Sequence, residues 1–225
     1  KNKKEIAFKY FKKTLKMDRN YLDAINNIAN YYSETGYYKK SLNYYFRALN
    51  LDKNNSEILF NIAVAYTYLK EHKNAEKYFK NSLKIDPTNH LLQKNISILY
   101  LNLHRFKEAW TYFDGRIGVD DFRNKNHYFH NIKEKLWQGE KLSSKNNILV
   151  LKEQGIGDEI LYGSMYNDLL KFFPDAIIET EPRLITLFTR SFNKKNFIPY
   201  GNISKNVTQL KNFDTVIYAG SLGRL

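Results

Sequence analysis

Apolar positions in the first half of this chain recur at two nested intervals. The short one is helical. Ile25, Ile28, Ala29 and Tyr32 form one stripe, and Leu42, Tyr45, Ala48 and Leu49 form the next, at the spacing that gathers residues on one helix face. The long interval is 34 residues: Ala7, Ser41, Ala75 and Ala109 are small, and Phe11, Tyr45, Phe79 and Phe113 are aromatic. Leu15, Leu49, Leu83 and Ile117 make a third row, and Ile28, Ile62, Ile96 and Tyr32, Tyr66, Tyr100 make two more. A fixed period of this length marks stacked supersecondary units, none of which can bury its apolar face alone. The pattern therefore predicts six helices in three antiparallel hairpins over residues 22–117, preceded by a half unit, with Tyr45, Phe79 and Phe113 buried between units. Small residues let the paired helices approach; the aromatic one turn later fills the gap. Gly36 breaks its unit between the two helices, and Lys70 and His104 take that place later. Asp52 and Asp86-Pro87 end the second helices, since proline cannot continue one.

After Ile117 the pattern changes. Residues 120–147 read as a polar connector, helical in part, in which Tyr128, Phe129, Leu136 and Trp137 are expected to cap the open end of the solenoid. Ile148-Leu149-Val150-Leu151 suits a buried parallel strand. A helix is predicted over Glu159 to Phe173, with Ile160, Leu161, Met165, Leu169 and Leu170 facing in. Ala176–Glu179 reads as a second strand, and Pro182–Phe192 as a helix with Leu184, Leu187 and Phe188 inward. Phe197-Ile198 and Val216-Ile217-Tyr218 are further strands. Alternating strands and helices predict a parallel sheet, so the fold class is an α-solenoid followed by an α/β domain, with boundaries at 1–119, 120–147 and 148–225.

Composition changes this picture little. The 225 residues leave room for two modest domains. With no cysteine there is neither a disulfide framework nor a thiolate metal site. The five histidines, His72, His90, His104, His127 and His130, show no metal-ligand spacing with acids. The net charge of +13 favours acidic partners. The lysines, however, are spread over the polar sides of helices, and Lys, Asn, Ile and Tyr are abundant together, as an AT-rich genome produces; nucleic acid is disfavoured. No long apolar run crosses a membrane. The register starts Lys1 inside a unit and the chain stops after a strand-like run, so both ends are expected to be cut points of a longer chain; the expected location is cytoplasmic, with a membrane-peripheral one as the alternative.

The 34-residue rows, with the endings Ala48-Leu49-Asn50-Leu51-Asp52 and Ser82-Leu83-Lys84-Ile85-Asp86-Pro87, resemble the tetratricopeptide repeat: a half repeat, then 22–55, 56–89 and 90 to about 119. The family's tryptophan and leucine positions are Ile25 and Ile28 here. The resemblance implies a right-handed solenoid whose first helices line a concave groove. Asn27, Asn61 and Asn95 share one register on those helices, similar to the peptide-holding asparagine row of O-linked N-acetylglucosamine transferases; an amide side chain both donates and accepts, and so can hold a peptide of any sequence. Asparagine is also abundant throughout the chain, which leaves chance as the other source of the row. The basic groove that clamps a partner's carboxylate is disfavoured, because Asp23 and Glu57 occupy one candidate row.

In the second half, Trp137-x-Gly139, the first strand, Glu153-Gln154-Gly155-x-Gly157-Asp158, a helix, Pro174-Asp175-Ala176 and a strand resemble bacterial tetratricopeptide proteins with a C-terminal glycosyltransferase of two Rossmann-like domains. The same string is similar to lipopolysaccharide heptosyltransferases. By that resemblance this half is the start of an acceptor-side Rossmann-like domain. Asp158 matches a general base that takes the acceptor hydroxyl's proton, and Glu153, Gln154, Gly155 and Gly157 fall at the substrate edge. A nucleotide sugar would be the donor, with no further cofactor, and the acceptor a protein, glycan or lipopolysaccharide. The donor domain is absent from these 225 residues, so the chain by itself is expected to be inactive. Read from the residues alone, Asp158 is also the expected N-cap of the helix at Glu159, and the two glycines serve a tight turn. Glu179 or Glu181 could end the second strand as a ribose ligand, but the glycine motif is not the full dinucleotide fingerprint. Two readings remain: a glycosyltransferase piece, or a non-catalytic interaction scaffold.

Overall fold

The computed structural model describes residues 2–119, 129–192 and 196–225. The chain divides into two compact units, Lys1–Val119 and Asp120–Leu225.

In the first unit α1 (Asn2–Met17) precedes three hairpins. They are α2 (Leu22–Glu34) with α3 (Tyr38–Leu51), α4 (Ser56–Tyr68) with α5 (His72–Ile85), and α6 (His90–Asn102) with α7 (Phe106–Phe113). The small row is wholly enclosed at Ser41, Ala75 and Ala109, and Tyr45 and Phe79 are buried. Tyr45 packs with Ile25, Ile58 and Ile62. Its hydroxyl donates to Asn30 Oδ1 at 2.7 Å, and burial raises the phenol's pKa. Phe79 packs with Leu92, Ile96 and Tyr100. Asn55 and Asn89 cap α4 and α6, each accepting from a backbone N–H three residues on, Ile58 and Leu92, at 3.0 Å, as short polar side chains do at helix starts.

Gly36, Lys70 and His104 stand at equivalent positions of the interhelical turn. All three are left-handed, with φ of 83°, 60° and 56°, so the turn keeps its geometry in the units that have no glycine there. One expectation fails in part: Phe113 is only half-buried. The chain leaves the helix there for a 3-10 turn, Asp114–Gly118, pressed against α6. A Cβ at Gly115 would lie 2.8 Å from the backbone nitrogen of Lys94. Ile117 from this turn supplies the buried side chain instead.

The second unit holds α8 (Phe129–Ile132), β1 (Ile148–Leu151), α9 (Ile156–Gly163), α10 (Tyr166–Phe172) and β2 (Ile177–Thr180). It continues with α11 (Pro182–Phe192), β3 (Phe197–Pro199), α12 (Val207–Leu210), β4 (Thr215–Tyr218) and a 3-10 segment, Ala219–Arg224. The sheet order is β3-β2-β1-β4, with every pairing parallel and Val150 in register between Ile178 and Ile217. All four residues of β1 are buried, as its unbroken apolar run requires.

The single helix expected over 159–173 is two. It starts three residues early, at Ile156, and breaks at Ser164–Met165. Its inward face is also rotated: Ile160 and Leu161 are 50% and 65% exposed, while Glu159, Tyr162 and Tyr166 are buried. Gly163 comes close to the Phe188 ring, which lies 3.1 Å from where a Cβ would be. Leu169, Leu170, Leu184 and Phe188 face in as expected, but Leu187 is 38% exposed. Leu136 and Trp137, expected to cap the solenoid, belong to the α/β unit. Leu136 bridges Val216 in parallel fashion, and the Trp137 N–H donates to the Val216 carbonyl at 2.9 Å. Tyr128 and His127 lie outside the described residues, as does the Phe129 side chain.

Candidate functional site

Two places in the fold carry the residues singled out by sequence. The first is the line of first helices in the solenoid. Asn27 is exposed, and Asn61 and Asn95 are half-buried. Asn27 Nδ2 donates to the Asp23 carbonyl of its own helix at 2.7 Å, and Asn95 Nδ2 to that of Leu91 at 2.8 Å. Asn61 Nδ2 reaches Asn30 Oδ1 at 3.4 Å. The three amide nitrogens thus have partners within the chain, and two of them point back along their helices. A cavity of about 690 Å³ opens between the second and third hairpins, and Asn61 lines it together with Asn55, Phe60, Asn89 and Leu91. These flanking residues were not singled out from the sequence; the signal available was their common 34-residue offset, Asn55 with Asn89.

The second place is the carboxyl edge of the sheet, where β1 turns into α9. Gln154 is exposed and left-handed, with φ of 59°. Neither Gly155 nor Gly157 has positive φ, so the strained residue of the turn is the glutamine, against expectation. Gly155 is the N-cap of α9, and Asp158 sits at its third position with Oδ2 accepting from Gly155 N–H at 3.2 Å. Asp158 is therefore tied to the helix start as half of a capping box, not as the N-cap itself, and it stays half-exposed. A Cβ on Gly157 would meet no atom within 4 Å.

Glu153, the acid expected at the substrate edge, follows β1 within two residues. It is buried, and its carboxylate accepts from Gly220 N–H, which holds the segment after β4 against β1. The burial of two further acids, Glu179 and Glu159, was not anticipated. Glu179 Oε1 accepts from Ser204 N–H at 2.9 Å and from Ile203 N–H, while Oε2 accepts from Gly201 N–H at 3.0 Å and the Ser204 hydroxyl at 2.6 Å. Enclosed in this way, it is no ribose ligand. Glu159 accepts from the Thr180 hydroxyl and, at 2.7 Å, from Glu181 N–H; Lys152 Nζ stands 3.6 Å from its other oxygen. Hydrogen bonds from Lys152 and then Arg183, each at 3.0 Å, hold the Glu181 carboxyl below its usual pKa. Burial raises the Tyr166 phenol, with the charges of Glu159 and Glu153 adding to it. Among the described residues no three His, Asp or Glu are grouped to hold a metal ion, and no helix is long and apolar enough to cross a membrane.

Comparison with known proteins bears on the solenoid. The tetratricopeptide repeat family matches residues 22–55 and 56–89. Protein FlbA of Caulobacter vibrioides is 28% identical over 96 residues, 39% of this chain and 16% of that protein. The chain thus spans only a small part of that relative. Among solved structures, MamA aligns at 15% identity over 53% of this chain and 66% of its own, with a TM-score of 0.48. YrrB, described as a TPR protein with an unusual peptide-binding site, aligns at 18% identity over 58% of this chain and 67% of its own, with a TM-score of 0.46. A tetratricopeptide repeat protein from Parabacteroides merdae aligns at 23% identity over 57% and 51%, also at 0.46. The helical unit thus carries two tetratricopeptide repeats, at 22–55 and 56–89, within a solenoid of helical hairpins, and the second unit holds a small parallel sheet.

Proposed function

We propose that this chain is a protein-interaction module whose solenoid holds an extended segment of a partner protein in its groove. The observation that carries this reading is the cavity of about 690 Å³ beside Asn61, on the line of first helices. A cleft of that size accommodates several peptide residues, and an amide side chain on its wall can pair with a backbone of any sequence. Rotating Asn27 and Asn95 away from their own helices would give up hydrogen bonds worth only about 1 kcal/mol each. The test is peptide binding by the full chain, with Asn27, Asn61 and Asn95 all replaced by alanine. Expected is at least a tenfold loss of affinity with the melting temperature unchanged. Undiminished binding removes the asparagines from the function.

The α/β unit supports a second reading, that it is the acceptor-side portion of a glycosyltransferase using a nucleotide-sugar donor, with a protein, glycan or lipopolysaccharide as acceptor. In its favour, β3-β2-β1-β4 is the order of the first four strands of a doubly wound sheet, whose ligands sit at the carboxyl edge. The left-handed Gln154 stands at that edge, and backbone strain of this kind gathers at functional sites. The half-exposed Asp158 carboxylate could take a hydroxyl proton. Asp158→Asn, made in a protein that also carries a donor domain, keeps an oxygen to accept from Gly155 and removes the base. Transfer from a labelled nucleotide sugar is then expected to fall about 10²–10⁴-fold; wild-type transfer reduces Asp158 to a helix cap. Gly157→Ala provides a control on folding. Nothing crowds that Cβ, so the change should stabilise α9 by about 0.5–1 kcal/mol, and any loss of transfer would then report a ligand at the turn.

A further inference from the structure

The cavity beside Asn61 carries the opposite charge to the chain that forms it. The chain is +13 overall, yet among the described residues the cavity between the second and third hairpins is lined by Asp52, Glu57 and Asp86 and by no Lys, Arg or His. Two of these carboxylates are fixed in place by the repeat itself. Asp52 accepts from the Asn55 amide at 2.9 Å, and Asp86 from the Asn89 amide at 3.1 Å. Each stands at the close of one unit and holds the cap of the next helix. Glu57 is different. It lies in the first turn of α4 and takes part in none of the ion pairs found among the described residues. The helix dipole accounts for a weak preference for an acid there, but not for an apolar wall beside it. That wall is Phe60 and Leu91, and Leu91 is 47% exposed.

Carboxylates beside an apolar wall are complementary to a long cationic side chain. Its methylene stem covers the apolar surface while the charged head stays with the acids. Asn61 lines the same cavity, and its amide oxygen can accept from a partner's backbone. We propose that the groove selects an extended partner segment through an arginine or lysine, which seats between Glu57 and the Asp52 and Asp86 carboxylates. This inference rests on the reading of the solenoid as a peptide-binding groove and adds the chemistry by which it chooses.

The overall charge makes the test stringent. A protein at +13 attracts acidic peptides by its general field, so enrichment of basic ones reports the local site. A randomised peptide library is panned against the full chain at physiological salt, and affinities of the enriched peptides are measured by fluorescence anisotropy. Peptides enriched in arginine and lysine are expected, with affinity about tenfold above that of the same peptides with the basic residue replaced by glutamine. Glu57→Gln should abolish most of that difference while leaving the glutamine peptides and the melting temperature unchanged. Asn61→Ala should weaken both peptide classes alike. Enrichment of neutral or acidic peptides, or a Glu57→Gln variant that still prefers basic ones, overturns the inference and leaves the groove reading standing. If no peptide is enriched at all, the groove reading fails and the charge selection with it.

Discussion

Lys70 and His104 hold the left-handed backbone that Gly36 adopts freely, with φ of 60° and 56° against 83°. For a residue with a Cβ this conformation costs about 1–2 kcal/mol, and replacing it with glycine returns part of that to the freer unfolded chain. Lys70→Gly and His104→Gly are each expected to raise the melting temperature, by up to about 1 kcal/mol in stability; a drop in both would mean their side chains stabilise the turns by contacts of their own. Glu179 presents the reverse case. Its enclosed carboxylate accepts from three backbone N–H groups and a hydroxyl. Glu179→Ala strands those donors at about 1–3 kcal/mol each where they stay buried. The loop 200–206 is expected to lose its amide protection in hydrogen exchange, and the protein to lose about 3–5 kcal/mol; retained protection would show that the loop holds itself.

At the scale of elements, the third hairpin is joined to α5 by a charged cluster. Glu76 accepts from Arg105 at 2.8 Å and from the Tyr100 hydroxyl at 3.1 Å, and pairs with Lys80 at 2.7 Å. Burial pushes its carboxyl up, but the hydrogen bonds from Arg105, Lys80 and Tyr100 outweigh that and bring it from 4.5 down to about 2. A carboxyl depressed in the folded state stabilises above its unfolded pKa and ceases to as pH falls through its folded one. The contribution is thus full above about pH 4.5 and fades toward pH 2, and solvent screening keeps it near 1 kcal/mol. Urea midpoints measured between pH 2 and 6 should fall on acidification more steeply in the wild type than in Glu76→Gln. Parallel curves would remove the cluster from the acid response.

On the scale of the whole molecule, each repeat depends on its neighbours, because the aromatic rows close the interfaces between units. Phe79 packs on Leu92, Ile96 and Tyr100 of the next unit. Phe79→Ala is expected to cost about 3–5 kcal/mol and to lower hydrogen-exchange protection first in α4–α7. An effect confined to α5 would contradict packing shared across the interface. The α/β unit is built on a different principle. Its buried acids Glu153, Glu159 and Glu179 each hold a loop or strand end that is distant in sequence, so its order depends on polar contacts that are made only once the sheet has formed.

The solenoid was legible in the sequence because its determinants are local and repeated. Helical stripes, small–aromatic pairs and turn positions recur every 34 residues, and a periodic signal survives the loss of any one residue type. Strands β1 to β4 were legible as short apolar runs alternating with helical stretches, the pattern of a buried parallel sheet. What tertiary structure alone decided was which way a mixed surface turns. The leucine and isoleucine at 160–161 suggested one face of α9, but the backbone and hydroxyl donors of Thr180 and Glu181 draw Glu159 inward and rotate those apolar residues out. Asp158 became the third residue of its helix when Gly155 took the cap. Phe113 lost its place when the 3-10 turn folded onto α6 and buried Ile117 instead. In each case the deciding partner lies beyond the reach of a local pattern, and a buried carboxylate with donors waiting for it outweighs the exposure of two aliphatic side chains.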